Sequence, residues 1–295
     1  MRILILGATG SIGAAVAAEL KTHDHQVLCL ARSDTSDQKL RALGYETLRG
    51  DLRTPQHWCH VVHSVNVIIQ LATTWTPDMG EVDFEVLEAL RKEAEDRRSP
   101  RFLYTGGCWL YGATEDAIAT EATPFRPIKA FSWMVHNARH LLDRCPFSAA
   151  IVHPASVYHK DGGVFRRFIE SARANDPVQI WGSPHVRWPL IHRDDLAVVY
   201  RLLAERADLV GHFNASAEQG VRVEVIAAAI AEKFGNSQAP IVKSAAEVIA
   251  QYGAWAEGPM LDQQMSSERL EDKGWQPKIR NFATSDLFGA SNGQH

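Results

Sequence analysis

Through the first half of the chain, short apolar runs alternate with stretches whose apolar residues recur every three or four positions. The runs predict strands at 2–6, 26–30, 45–49, 65–71, 101–105 and 148–153. The helical spacing falls over 11–22, 36–43, 55–63, 81–96 and 129–143. Strands alternating with helices predict an α/β fold built on a parallel, doubly wound sheet. Thr54-Pro55 reads as a helix start with proline in the first turn, and Pro100 closes the fourth helix. After Pro154 the pattern changes. A helix is predicted at 163–174, the run Trp188 to His192 leads into a helix at 194–206, and a strand at 211–215 returns to the sheet. Residues 218–235 read as helical, and the tail to His295 is mixed and richer in Gly, Ser and Gln. Internal repeats are absent.

The junction of the first strand and first helix carries the strongest chemistry. The run Ile3 to Leu6 ends in Gly7-Ala8-Thr9-Gly10-Ser11-Ile12-Gly13. This is the strand, glycine turn and helix start that hold a dinucleotide pyrophosphate. Gly7 permits the tight turn, Gly10 lets phosphate approach the backbone, and Gly13 lets the helix pack close to the sheet. The unpaired N–H groups and positive dipole end of the helix would face the phosphate charge. A plain βα turn is the alternative. On this reading 1–155 and 186–217 form a Rossmann-type dinucleotide-binding domain, and 156–185 with 218–295 form a smaller C-terminal substrate lobe.

Composition narrows the class. The chain has 295 residues, 45% hydrophobic and 22% charged, which suits a globular protein with a sizeable core. A net charge of −4 gives no reason to invoke nucleic acid or an anionic membrane. No run approaches a membrane span. A first strand starting at Arg2 is read as leaving no room for a targeting segment. The cysteines Cys29, Cys59, Cys108 and Cys145 form no CxxC pair, so reduced thiols in a cytoplasm are expected.

Later segments repeat a known order: Gly50-Asp51-Leu52, Leu71-Ala72, Leu110-Tyr111-Gly112, His153 to Tyr158, and Trp188 to Ala197. With the glycine turn, they make the chain resemble the extended short-chain dehydrogenase/reductase superfamily, in particular its epimerase- and dehydratase-like members. The landmarks span residues 3 to about 216. The resemblance implies that Thr9, Ser11 and Ile12 join the three glycines at the cofactor. It also implies that Asp51 and Leu52 border the adenine and that Leu71, Ala72 and Thr73 line the ribose–pyrophosphate stretch. Thr105 and the segment Pro154, Ala155, Ser156 and Val157 would flank the nicotinamide. For Asp51 the plainer reading is a turn residue or helix cap. The second strand ends in Leu30-Ala31-Arg32-Ser33, with no acid to bond a ribose 2′-OH. Arg32 could pair with a 2′-phosphate and Ser33 could add a hydrogen bond, so NADP is expected over NAD. A solvated surface arginine is the alternative.

The superfamily's chemistry relies on a Ser or Thr after the fifth strand and on Tyr-x-x-x-Lys in the next helix. Here the hydroxyl position falls on Gly107, and Trp133 and Asn137 stand at the tyrosine and lysine places. Indole donates a hydrogen bond but is no acid or base near neutrality. Tyr111 and Thr105 are the remaining catalytic candidates, Tyr111 having a structural role as its alternative. His136 and Cys108 are weaker still, with surface and core roles open to them. Trp75, Trp109, Trp133 and Trp188 follow elements that border the cleft in the superfamily. They suggest an aromatic-lined, substrate-binding mouth; a place in the core is the alternative. His57, His60 and His63 are spaced by three, which drifts about 60° per step and chelates poorly, and His136 with His140 lacks a further ligand. No metal is expected.

These readings combine into an NADP-dependent oxidoreductase, with NAD as the alternative cofactor, acting on a small apolar or aromatic carbonyl or conjugated substrate without the usual acid–base pair. A homodimer is a possible assembly. The rival is a non-catalytic dinucleotide sensor similar to the nitrogen-metabolite-repression regulators, which keep the glycine turn and lose the tyrosine.

Overall fold

A computed structural model describes residues 1–95 and 99–289. The chain begins with β1 (Arg2–Leu6), α1 (Ser11–Thr22), β2 (Gln26–Ala31), α2 (Asp34–Ala42), β3 (Glu46–Arg49) and β4 (Val67–Gln70). It continues with α3 (Met79–Ala94), β5 (Arg101–Thr105), α4 (Ser132–Arg144), β6 (Ser148–Pro154), β7 (Ser156–His159), β8 (Gly162–Gly163) and α5 (Arg166–Arg173). Then come β9 (Gln179–Trp181), β10 (Arg187–His192), α6 (Arg193–Glu205), β11 (Gly211–Ala215), β12 (Glu218–Arg222), α7 (Val223–Lys233), β13 (Ile241–Lys243) and α8 (Ala245–Tyr252).

Two compact units share these elements. The first comprises Met1–Gly106, Ser132–His153 and Leu196–Phe213. Its sheet runs β11-β6-β5-β4-β1-β2-β3, and the pairings from β6 across to β3 are parallel. This is the Rossmann-type order expected. Strand alternation sets the packing: Leu4, Leu6, Leu28, Ile68, Phe102 and Tyr104 join Val86, Leu87 and Leu90 of α3 and Ala138 and Leu141 of α4 in one core. The intervening Ile3 and Ile5 are equally buried, so the opposite face is covered too. The chain reverses its winding between β1 and β4, where open α/β sheets bind ligands at the strand C-termini.

The second unit comprises Gly107–Phe131, Pro154–Asp195 and Asn214–His295, of which 290–295 lie outside the described residues. A four-stranded sheet, β12-β10-β7-β8, packs Tyr158, Phe165, Phe168, Trp188 and Leu190 against α7 and Phe282. Residues 107–131 belong to this unit, where sequence placed them with the sheet domain. The Gln263 amide donates to the carbonyls of Cys108 (2.8 Å) and Gly112 (2.7 Å), and Ala119 N–H donates to the Gln264 carbonyl. Residues 186–195 join it for a similar reason, because β10 pairs with β7 and β12.

Two segments expected to be helical take another form. Residues 55–64 form 3₁₀ turns at Pro55–His57 and Cys59–Ser64. Trp58 interrupts them at φ −133°, buried, with its indole N–H on the Asp51 carbonyl at 2.8 Å. Residues 218–222, expected to be helical, are strand β12 because they pair antiparallel with β10. The expected end of the 81–96 helix lies outside the described residues; α3 is seen to Ala94.

Candidate dinucleotide site

The glycine turn belongs wholly to the first unit, and each glycine has a distinct geometric reason. Gly7 sits at φ +95°, in the left-handed region, and a Cβ there would stand 2.9 Å from the Ala72 nitrogen and from the Leu71 carbonyl carbon. A Cβ on Gly13 would overlap the Gly7 carbonyl, so α1 could not pack this close with any larger residue. Gly10 is different. It has ordinary extended backbone (φ −76°, ψ 167°), and a Cβ on it would meet only the Gly7 oxygen, at 3.3 Å. Its backbone does not demand glycine, and the Gly7 oxygen is the one close neighbour a side chain would meet. Gly10 is also the N-cap of α1, with no side-chain acceptor and no acid in the first turn. The first-turn N–H groups of Ser11, Ile12 and Gly13 are therefore left to an external acceptor. Thr9 and Ser11 are exposed and Ile12 half-buried around this opening.

Leu71, Ala72 and Thr73 follow β4 alongside Gly7, all half-buried. The Thr73 hydroxyl is buried with no partner among the described residues. Asp51 accepts from the Arg53 N–H at 2.9 Å, so its carboxylate closes its own turn, and Leu52 packs against the core. Arg32 is exposed just past β2 and enters no ion pair among the described residues. Ser33 is the N-cap of α2: its hydroxyl accepts from Ser36 N–H (3.2 Å) and also lies 3.2 Å from the Ser36 hydroxyl, to which it donates. A local hydrogen-bonding role is thus already assigned to that side chain.

Both catalytic candidates are held by protein partners. Thr105 Oγ1 donates to the Gln70 carbonyl at 2.7 Å and lies 2.7 Å from the Tyr200 hydroxyl. Tyr111, in the second unit, is buried, and its hydroxyl donates to Asn214 Oδ1 at 2.6 Å. Burial, reinforced by the Glu121 charge, pushes the phenol well above its ordinary value, so it does not ionise near neutrality. Burial also pushes the Cys108 thiol up to about 12, which makes it inert. Pro154, Ala155 and Ser156 are buried and Val157 half-buried in the second unit; Ala155 N–H donates to the Ala215 carbonyl.

The four tryptophans divide. Trp75 stands after β4, 67% exposed at φ +54°. Trp133 is half-buried on α4 and lies against Gly80 of α3, where a Cβ would come within 2.6 Å of the indole. Trp109 is half-buried in the second unit against Gly258 and, at 5.6 Å, Phe131. Trp188 is a core residue: it is buried, stacked on Phe168, and donates to the Pro259 carbonyl at 2.8 Å. It presents no surface to a ligand. Among the described residues no group of His, Cys, Asp and Glu could hold a metal ion. His63 instead pairs with Glu93 (2.8 Å) and His140 with Glu88 (2.6 Å).

One feature of the first unit was not legible in the sequence. Asn137, at the lysine place, points to a buried carboxylate. Its amide donates to Asp83 Oδ2 at 2.8 Å and to the Gly80 carbonyl at 3.2 Å. A mid-helix aspartate such as Asp83 reads as a surface residue, and no periodic signal marks it as buried.

The model of the NAD dependent epimerase/dehydratase family matches residues 3–216. Uncharacterized protein YLL056C of Saccharomyces cerevisiae is 26% identical over 94% of this chain and 95% of its own length. The photosystem II assembly factor Ycf39 of Trieres chinensis is 28% identical over 35% of this chain and 34% of its own. Among solved structures, the human epimerase family protein SDR39U1, determined with NADPH, superposes with a TM-score of 0.78 at 21% identity, covering 95% of this chain and 96% of that one. The glycine turn, the strand order and the matched span agree: the chain belongs to the NAD dependent epimerase/dehydratase family.

Proposed function

We propose that the protein is an NADP-dependent oxidoreductase acting on a small apolar or aromatic molecule with a carbonyl or conjugated acceptor. The observation that carries the reading is the glycine turn: a helix start with no side-chain cap at Gly10, where a Cβ would have the Gly7 oxygen, at 3.3 Å, as its one near neighbour. Gly7, Gly10, Ser11, Ile12 and Gly13 would hold the pyrophosphate, and the Leu71–Thr73 segment would lie alongside. The buried, unpartnered Thr73 hydroxyl suits a polar ligand there. When bound, the nicotinamide supplies a hydride donor or acceptor. Arg32, without an ion-pair partner among the described residues and with no acid at Ala31, favours a 2′-phosphate. NAD remains the alternative cofactor. The NADPH in the SDR39U1 structure supports this choice.

The chain's own residues orient and enclose; they do not supply the usual proton relay. Trp133 offers a flat apolar surface in the tyrosine place, and Thr105 and Tyr111 are committed to protein acceptors. The proton then comes from solvent or substrate. NADPH consumption with a panel of quinones, flavins and aryl ketones tests this. Turnover with at least one class is expected; binding without turnover across the panel overturns it. That second outcome would favour a non-catalytic dinucleotide-binding role, for which the tethering of Asn137 to Asp83 is the specific observation.

A further inference from the structure

The buried carboxylate of Asp83 is the least expected group in the first unit. It is 6% exposed on α3, beneath the C-terminal ends of β4 and β5. Three neutral donors surround it: Gln70 Nε2 at 2.8 Å from Oδ1, and Tyr104 Oη at 2.6 Å and Asn137 Nδ2 at 2.8 Å from Oδ2. None of them is a cation. Hydrogen bonds of this kind offset part of the desolvation cost of a carboxylate, and burial still pushes its pKa above the ordinary range. An arrangement this costly fixes its neighbours in one geometry.

What it fixes is the segment beside the glycine turn. Gln70 gives its amide nitrogen to Asp83 and turns its amide oxygen to the Ala72 N–H, at 3.2 Å. Its two partners set the orientation of the Gln70 amide, since the Ala72 N–H needs the oxygen and an Asp83 carboxyl oxygen takes the nitrogen. The opposite end is then an acceptor and holds Ala72. Ala72 and Leu71 are the backbone against which Gly7 packs with no room for a Cβ.

We propose that Asp83 is a positioning residue of the dinucleotide site, acting through the Gln70 side chain to hold the Leu71–Thr73 segment against the glycine turn. The inference rests on the reading of that turn as the dinucleotide site. Asn137 belongs to the same device from the α4 side, so the place where a lysine would serve chemistry serves the cofactor wall instead.

The test compares Gln70→Met and Asp83→Asn with wild type, and with Phe102→Leu as a core control on β5 that touches none of these hydrogen bonds. Gln70→Met keeps the side-chain length and leaves Asp83 its Tyr104 and Asn137 donors. Two quantities are measured on the full chain: amide exchange at Ala72 without nucleotide, and the Kd of NADPH and NADH. Faster Ala72 exchange and Kd values about tenfold weaker for both cofactors are expected in Gln70→Met and Asp83→Asn. Phe102→Leu should lower the melting temperature with Kd nearly unchanged. Non-additivity in Gln70→Met/Asp83→Asn would mark the two as one device. Unchanged Ala72 exchange and unchanged Kd in Gln70→Met overturn the proposal while leaving the cofactor reading intact. Wild-type protein that binds neither cofactor overturns both. If Asp83→Asn does not fold, Gln70→Met alone decides.

Discussion

Gly10 and Gly13 are separated by one helical turn, yet the structure assigns them opposite consequences when substituted. Gly10 has β-region backbone that a branched residue adopts without strain, and a Cβ there meets the Gly7 oxygen at 3.3 Å, a close contact that a shift of a few tenths of an ångström relieves. Gly10→Val should therefore cost folding about 1 kcal/mol, mostly from a poorer N-cap. That is a shift of about 2–4 °C in Tm for a domain of this size. The valine methyls would stand where phosphate must approach α1. Losing two charge-assisted hydrogen bonds, at about 1.5–3 kcal/mol each, predicts affinity for NADPH weakened at least about 100-fold. Gly13→Ala should do the reverse of this separation: its methyl overlaps the Gly7 carbonyl, and such overpacking costs about 1–3 kcal/mol or more. Thermal melts followed by circular dichroism and NADPH titration by fluorescence read both quantities. A folded Gly10→Val protein that keeps wild-type affinity would refute the assignment of the turn. A Gly10→Val protein that does not fold would refute the packing argument.

Three further outcomes follow from the same geometry. Burial pushes the Glu218 carboxyl up to about 7 against the opposing pull of the Phe282 N–H, so its ionisation works against the fold. Its favourable contribution is complete below the ordinary glutamate value and is lost as pH rises through about 7; Glu218→Gln should gain about 1–2 kcal/mol over wild type at pH 8 and little near pH 4, after discounting for partial exposure. Equal gains at both pH values in melting experiments would contradict the burial argument. Trp188→Ala should cost about 3–5 kcal/mol as a core cavity, whereas Trp133→Phe should change stability by less than about 1 kcal/mol. On any substrate the panel yields, Trp133→Phe should alter KM more than the pH–rate profile, and loss of a titrating limb would show that the indole reading is wrong.

The sheet of the first unit was legible because its strands are buried on both faces and read as continuous apolar runs, as in Ile3 to Leu6 and Val67 to Ile69. Weaker patterns misled. Glu218 to Arg222 carries no strand signature of its own and becomes β12 only because β10 lies beside it. Val61 and Val62 gave residues 55–63 an apolar face, but the buried Trp58 breaks the run into separate turns. At the site, glycine spacing disclosed the turn because Gly7 answers a backbone demand and Gly13 a packing demand, both local in sequence. The Asp83–Gln70–Ala72 link joins α3, β4 and the strand end through side chains distant in sequence, and no local pattern encodes such a link. Ser33 illustrates the converse, a plausible ligand contact already used as a helix cap.

On the proposed reading, the glycine turn holds NADP and Arg32 selects the 2′-phosphate. Titration of NADPH and NADH against wild type and Arg32→Ala tests it most directly. Wild type should prefer NADPH, and Arg32→Ala should weaken NADPH about tenfold or more while leaving NADH nearly unchanged, since a charge-assisted pair is worth about 1.5–3 kcal/mol. Equal loss for both cofactors, or a wild-type preference for NADH, would contradict it.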